Sequence, residues 1–141
     1  MRNWVKKKNL FTEFNNHTNN YNLKEKKGIG ICVIGKNENL YAREFVEYYQ
    51  KLGIKKIIIY DNNNLNGERF EDVLNDYIKR NFVEIISIRG LESIQFPIYN
   101  ICYQSYKNQF DYISFLDFDE FITFNDNNLK NINDYIHYCL Y

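Results

Sequence analysis

From residue 28 onward the hydrophobic and polar positions of this chain switch between two periods. Ile29-Gly-Ile-Cys-Val-Ile34 is a continuous apolar run, the pattern of a strand covered on both faces. Ala42, Phe45, Val46, Tyr49 and Leu52 follow at helical spacing, and Gly53 supplies a stop signal. Ile54 to Tyr60 predicts a second strand. Asn62-Asn-Asn-Leu-Asn-Gly67 is turn chemistry, built from residues that tolerate a left-handed backbone. Phe70, Val73, Leu74, Tyr77 and Ile78 then fill one helical face without a miss. Phe82 to Ile88 predicts a third strand. Ile98, Ile101, Cys102 and Ser105 suggest a helix that starts near Pro97, a tolerated first-turn position. Tyr112 to Leu116 predicts a fourth strand, and Leu129, Ile132, Ile136 and Leu140 a final helix.

The strand starts recur at intervals of roughly 26–30 residues, close to the length of a βαβ unit. This alternation predicts an α/β fold with a mainly parallel, Rossmann-like sheet flanked by helices. Residues 1–27 are different: Lys- and Asn-rich, with Trp4, Leu10, Phe11 and Phe14 scattered among polar positions. They read as a polar N-terminal extension, an arm free to move or to cover a partner, ahead of a domain spanning 28–141.

Composition narrows the picture. The chain has 141 residues, 45% of them hydrophobic and 18% aromatic, enough for a single packed core. Its formal net charge of +0 gives no electrostatic reason to expect nucleic acid or an anionic membrane as a partner. Cys32, Cys102 and Cys139 are odd in number, lack a CxxC pair and each fall in an apolar stretch. They read as buried free thiols in a reducing compartment. The basic start is not followed by the apolar segment of a secretory signal, and no apolar run approaches about 18 residues. The expectation is a cytoplasmic protein, at most peripheral to a membrane. His17 and His137 lie far apart in the chain, which argues against a zinc site.

Candidate chemistry collects at the strand ends. In open parallel sheets, ligands bind beyond the carboxyl ends of the strands. The four segments that leave the predicted strands are Gly35-Lys36-Asn37-Glu38, Asp61-Asn62-Asn63-Asn64, Arg89-Gly90 and Asp117-Phe118-Asp119-Glu120. All are polar, so together they suggest one cleft for a polar, phosphate-containing ligand. Asp117 and Asp119 are two apart, and on an extended backbone they would share a face. Paired carboxylates with oxygen-only chemistry suit Mg2+ or Mn2+. Blander readings stand beside these: Lys36 to Glu38 as a solvated turn and helix cap, Asp61 as an Asx-turn residue, Arg89 as a surface cation, the acidic triplet as an exposed strand end. Phe115, Phe118 and Phe121 weigh against simple exposure of that triplet, because so much apolar area prefers burial. Gly30 and Gly35 do not form a GxGxxG fingerprint.

Taken in order, several segments resemble GT-A glycosyltransferases of the family 2 and family 92 type. They are Ile31 to Glu38, Glu44-Phe-Val-Glu-Tyr-Tyr49, Leu52-Gly53, Ile59-Tyr-Asp-Asn62, Gln95 with Tyr99-Asn100, and Phe115-Leu-Asp-Phe-Asp-Glu-Phe121. The resemblance runs over about residues 28–125 and implies a GT-A fold, a nucleotide-sugar donor (a UDP- or GDP-sugar) and a divalent metal, Mn2+ or Mg2+. Carried over residue by residue, it implies that Lys36, Asn37, Glu38 and Asp61 line the nucleotide pocket. Asp117 and Asp119 become the DxD pair toward the ribose–diphosphate and the metal. Glu120 supports that loop, and Gln95 faces the donor side.

The acceptor would be a glycan, a lipid or a protein. GT-A domains usually run well beyond the DxD strand, and no segment after it matches a general-base motif. The expectation is therefore a C-terminally truncated GT-A domain, the donor-binding half, with a second polypeptide as one way to complete it. Three alternatives stay open: a non-catalytic nucleotide-sugar binding module, a phosphatase of the haloacid-dehalogenase type, which also uses a DxD, and a structural α/β domain.

Overall fold

The structure, a computed structural model, describes residues 4–5, 27–92, 95–126 and 128–140. In chain order the elements are β1 (Trp4–Val5), β2 (Ile29–Gly35), α1 (Asn39–Lys51), β3 (Lys56–Asp61), α2 (Phe70–Lys79), β4 (Val83–Ser87), α3 (Gln95–Tyr106), β5 (Tyr112–Phe115) and α4 (Ile132–Leu140). The sheet order is β1-β5-β2-β3-β4. The strands β5, β2, β3 and β4 run parallel, and β1 lies antiparallel on β5. The predicted α/β class is the observed one: four parallel strands flanked by helices. The edge strand β1 was not legible, because two residues carry no period. Apart from β1 and Lys27, the expected 1–27 extension lies outside the described residues.

The period-2 pattern of the strands sorts side chains onto two faces. Ile31, Val33, Ile57 and Ile59 face one layer with Phe45 and Tyr49 of α1, Phe70 and Leu74 of α2, and Ile132 of α4. Cys32, Ile58, Tyr60, Ile113 and Phe115 face the other, against Ile98, Cys102 and Tyr106 of α3. Each fully buried side chain of this size contributes about 1.5–3 kcal/mol, which is why β2 and β3 are almost wholly apolar. The α3 stripe differs from expectation. Ile101 is 49% exposed and Ser105 is exposed; Ile98, Cys102 and Tyr106, spaced by four, make the buried line instead.

The cysteine expectation is corrected. Cys32 and Cys102 form a disulfide, with their Cα atoms 6.6 Å apart, and Cys139 is exposed. The pair joins β2 to α3 across 70 residues. Spacing along the chain says nothing about which cysteines meet once α3 is laid over the sheet. A closed loop of that length restricts the unfolded chain by about 4 kcal/mol in the entropy model.

Gly53 does end α1: its φ is +92°, and the Ile54 N–H donates to the Tyr49 carbonyl at 3.0 Å. The expected turn in 62–67 is found, with the Gly67 N–H donating to the Asn64 carbonyl at 2.9 Å, and it forms without a positive φ. Among the described residues, the non-glycine positions with positive φ are Asn37 and Asn81, each at 59°. The Asn62–Gly67 segment uses its side chains instead, as described next. No helix among the described residues is long and apolar enough to cross a membrane.

Candidate functional site at the strand switch point

The strand order creates a topological switch point. From β2 the chain moves outward to β3 and β4, then returns through α3 to β5 on the other side of β2. Ligands of open α/β sheets bind in the crevice beyond such a point. Here it is flanked by the segments that follow β2 and β5, residues 36–38 and 116–120.

The first loop is sewn to its neighbour. Lys36 and Asn37 are exposed and Glu38 is half-buried. The Asn37 N–H donates to Asn63 Oδ1 at 2.7 Å, which holds Asn37 in its left-handed conformation. The Asn39 N–H donates to Glu68 Oε1 at 2.8 Å, and Asn39 Nδ2 to the Arg69 carbonyl at 2.8 Å. One orphan donor at the start of α1, the Asn39 N–H, is thus satisfied by a side chain from another loop.

The second loop is anchored by an aromatic. Phe118 is 3% exposed, whereas Asp117 and Asp119 on either side of it are exposed. Its ring stacks on Phe70 at 5.3 Å and meets Phe45 at 5.0 Å. It also lies over Gly35, where an added Cβ would sit 2.4 Å from Phe70 and 2.5 Å from Phe118. Gly35 is therefore needed for close approach. The strand ends at Phe115 and residues 118–119 turn, so the acids are not on one extended stretch as expected. They are presented together because the residue between them is pinned inward. The Asp117 N–H donates to Glu120 Oε2 at 3.2 Å, and the Glu120 N–H to the Asp117 carbonyl at 3.0 Å. From α1, the buried Tyr49 hydroxyl donates to the Glu120 carbonyl at 2.8 Å and accepts the Ile122 N–H at 3.1 Å. Tyr48 donates to the Ile122 carbonyl beside it.

The field at this crevice is acidic. Burial, then the charges of Glu120 and Asp119, hold the Asp117 carboxyl above its ordinary range. Burial, then Asp119, Glu68 and Asp117, do the same to Glu38. Among the described residues, no ion pair involves Asp117, Asp119 or Glu38. No group of three or more Asp, Glu, His or Cys side chains among the described residues could by itself enclose a metal. A carboxylate pair fits instead the mode in which Mg2+ or Mn2+ takes one or two protein oxygens and completes its shell with water and phosphate.

Asp61 is placed differently. It is 1% exposed; Oδ2 receives Arg89 Nε at 2.8 Å and Oδ1 receives the Asn63 N–H at 2.9 Å. Arg89 also donates to the carbonyls of Glu68 at 2.6 Å and Asn64 at 3.2 Å. Its side chain is only 14% exposed, so the surface-cation reading is corrected: it is the hub of the β3–α2 loop. Gln95 is exposed and reaches the acids through one intermediary. Its Nε2 donates to the Tyr99 hydroxyl at 3.2 Å, which lies 3.5 Å from Asp117 Oδ1. Asn63, Arg89 and Tyr99 lie in segments that the sequence picked out, but their roles as builders of the site, and that of Tyr49, were not read from it. The signal for Asn63 and Arg89 was their position just past two adjacent parallel strands; Tyr49 read as a buried helix position, and Tyr99 only as part of the motif that follows Gln95.

Residues 27–139 match glycosyltransferase family 92. The chain belongs to that family. It is also similar to a glycosyltransferase family 92 protein of rice (Oryza sativa subsp. japonica), with 26% identity over 97 residues. That alignment covers 69% of this chain and 16% of the rice protein, so the chain spans a small part of the relative it matches. The family 92 region takes in both loops of the switch point, Asp61 with Arg89, and α3.

Proposed function

We propose that this family 92 chain binds a nucleotide-sugar donor, a UDP- or GDP-sugar, at the β2/β5 switch point of a GT-A fold and serves sugar transfer to a glycan, lipid or protein acceptor. The observation that carries the proposal is a pair of exposed acids, Asp117 and Asp119, at the switch point with no cation among their described partners. Asp119, assisted by Asp117, would hold Mn2+ or Mg2+. The ion supplies Lewis-acid stabilisation of the charge that builds on a departing diphosphate.

The chain's own residues divide the remaining work. Glu120 holds the Asp117 N–H and keeps the acidic turn closed. Lys36, exposed just past β2, offers a cation to the diphosphate. Asn37 and Glu38 line the nucleotide side, their loop set by Asn63. Gln95 faces the donor from the start of α3. Asp61 acts through the loop it ties down, since both its oxygens are engaged. No side chain described here is assigned as the base that deprotonates the acceptor; a second polypeptide is one source of it.

Calorimetry of UDP- and GDP-sugars with and without Mn2+ tests the proposal. Binding that requires Mn2+ and is lost in Asp119→Ala supports it. Metal-dependent binding unchanged in Asp119→Ala overturns the site. Donor binding without transfer to any offered acceptor would turn the reading to a binding module.

A further inference from the structure

The face of the sheet opposite α1 and α2 holds a feature that the proposed donor chemistry does not use. Cys32 and Cys102 are both fully buried and covalently joined. Cys32 lies on β2, the middle strand, in register with Phe115 of β5. Cys102 lies on α3, one helical turn past Tyr99 and two past Gln95. Those are the α3 side chains that lead to Asp117. Residues three apart on a helix share a side, so a tether at Cys102 fixes the height and rotation of Tyr99. The Tyr99 ring also meets Phe115 at 5.0 Å, next to the end of β5.

We infer that the Cys32–Cys102 disulfide is a positioning element for the acidic site, acting through Tyr99 on Asp117. The Tyr99–Asp117 contact is 3.5 Å, at the long limit of a hydrogen bond. Such a contact is the kind that a small slide of α3 makes or breaks. Gln95 donates to the same hydroxyl, which turns its proton toward an acceptor, and Asp117 is the acceptor in reach. Groups of this kind orient a carboxylate that binds a metal, and their loss commonly costs 10–100-fold in affinity. The inference rests on the reading that Asp117 and Asp119 bind a divalent ion.

The test is a double-mutant cycle read by Mn2+ affinity, with thermal unfolding as a separate readout. Tyr99→Phe should weaken Mn2+ about 10-fold at little cost in Tm. Cys32→Ala with Cys102→Ala should lower Tm and also weaken Mn2+ several-fold. Added to Tyr99→Phe, the cysteine changes should lower Tm again but leave Mn2+ affinity where Tyr99→Phe put it. A purely structural staple would move Tm alone, and that result overturns the inference. So does full additivity on Mn2+ affinity. If the cysteine variant does not fold, Tyr99→Phe with unchanged Mn2+ affinity overturns it as well. Failure of the parent protein to bind Mn2+ overturns the metal reading, and this inference with it.

Discussion

Asp61 and Asp117 leave the sheet from the two strands that flank β2, and their surroundings are opposite. Asp61 is buried, paired with Arg89 and capped by the Asn63 N–H. Asp117 is exposed among Glu38, Asp119 and Glu120, and its carboxyl is held above its ordinary range. The first carboxylate is neutralised from within and fixes a loop. The second is left with like charges on a turn held by Gly35, Phe118 and Tyr49. Removing a partner from a buried pair is expensive; neutralising one member of an acidic cluster relieves repulsion. The two sites should therefore respond to mutation with opposite signs.

The largest effect is expected at the buried pair. Arg89→Met leaves Asp61 buried without its cation and should cost about 3–5 kcal/mol in urea unfolding. Adding Asp61→Asn to it should recover part of that loss. A cost below about 1 kcal/mol for Arg89→Met would erase the distinction between the two aspartates. Next comes the seat of the acidic turn. Gly35→Ala drives a methyl into Phe70 and Phe118 and should cost about 1–3 kcal/mol. Because Phe118 is displaced, it should also weaken Mn2+ binding, whereas Arg89→Met should leave the acidic turn's own contacts intact.

The smallest effect has the opposite sign. Asp117→Asn should raise stability slightly at pH 7, by less than about 0.5 kcal/mol, because the site is solvent-screened. The sign follows from the raised folded pKa values of Asp117 and Glu38, whose ordinary values are 3.8 and 4.5. The folded state holds these protons more tightly, so the stability they lend is fully present below the ordinary values. It is lost as pH rises through the raised ones. The advantage of Asp117→Asn should therefore vanish below about pH 4, in paired thermal melts across pH. An Asp117→Asn variant less stable than the parent at pH 7 would mean that the Tyr99 contact outweighs the repulsion of the neighbouring acids.

The fold was largely legible because both periods were strong. The apolar runs of β2 and β3 and the faces of α1 and α2 state their burial directly. The polar strand ends were legible as a class, since the switch-point rule needs only element order. What the sequence did not disclose depends on approach in space. Asp61 and Asp117 both read as strand-end acids, and only the arrival of Arg89 separates them. The disulfide was hidden for the same reason: Cys32 and Cys102 meet because α3 packs on β2. The left-handed conformation of Asn37 was hidden too, because it is held by Asn63 from a neighbouring loop.

The central claim is that the exposed acids, and not the buried one, receive the divalent ion. Titration of the protein with Mn2+, followed by paramagnetic broadening of backbone amide resonances, measures this most directly. The account predicts broadening centred on residues 117–119 and extending to Glu38, abolished by Asp117→Asn with Asp119→Asn. Broadening centred elsewhere, or undiminished in that double variant, would contradict it.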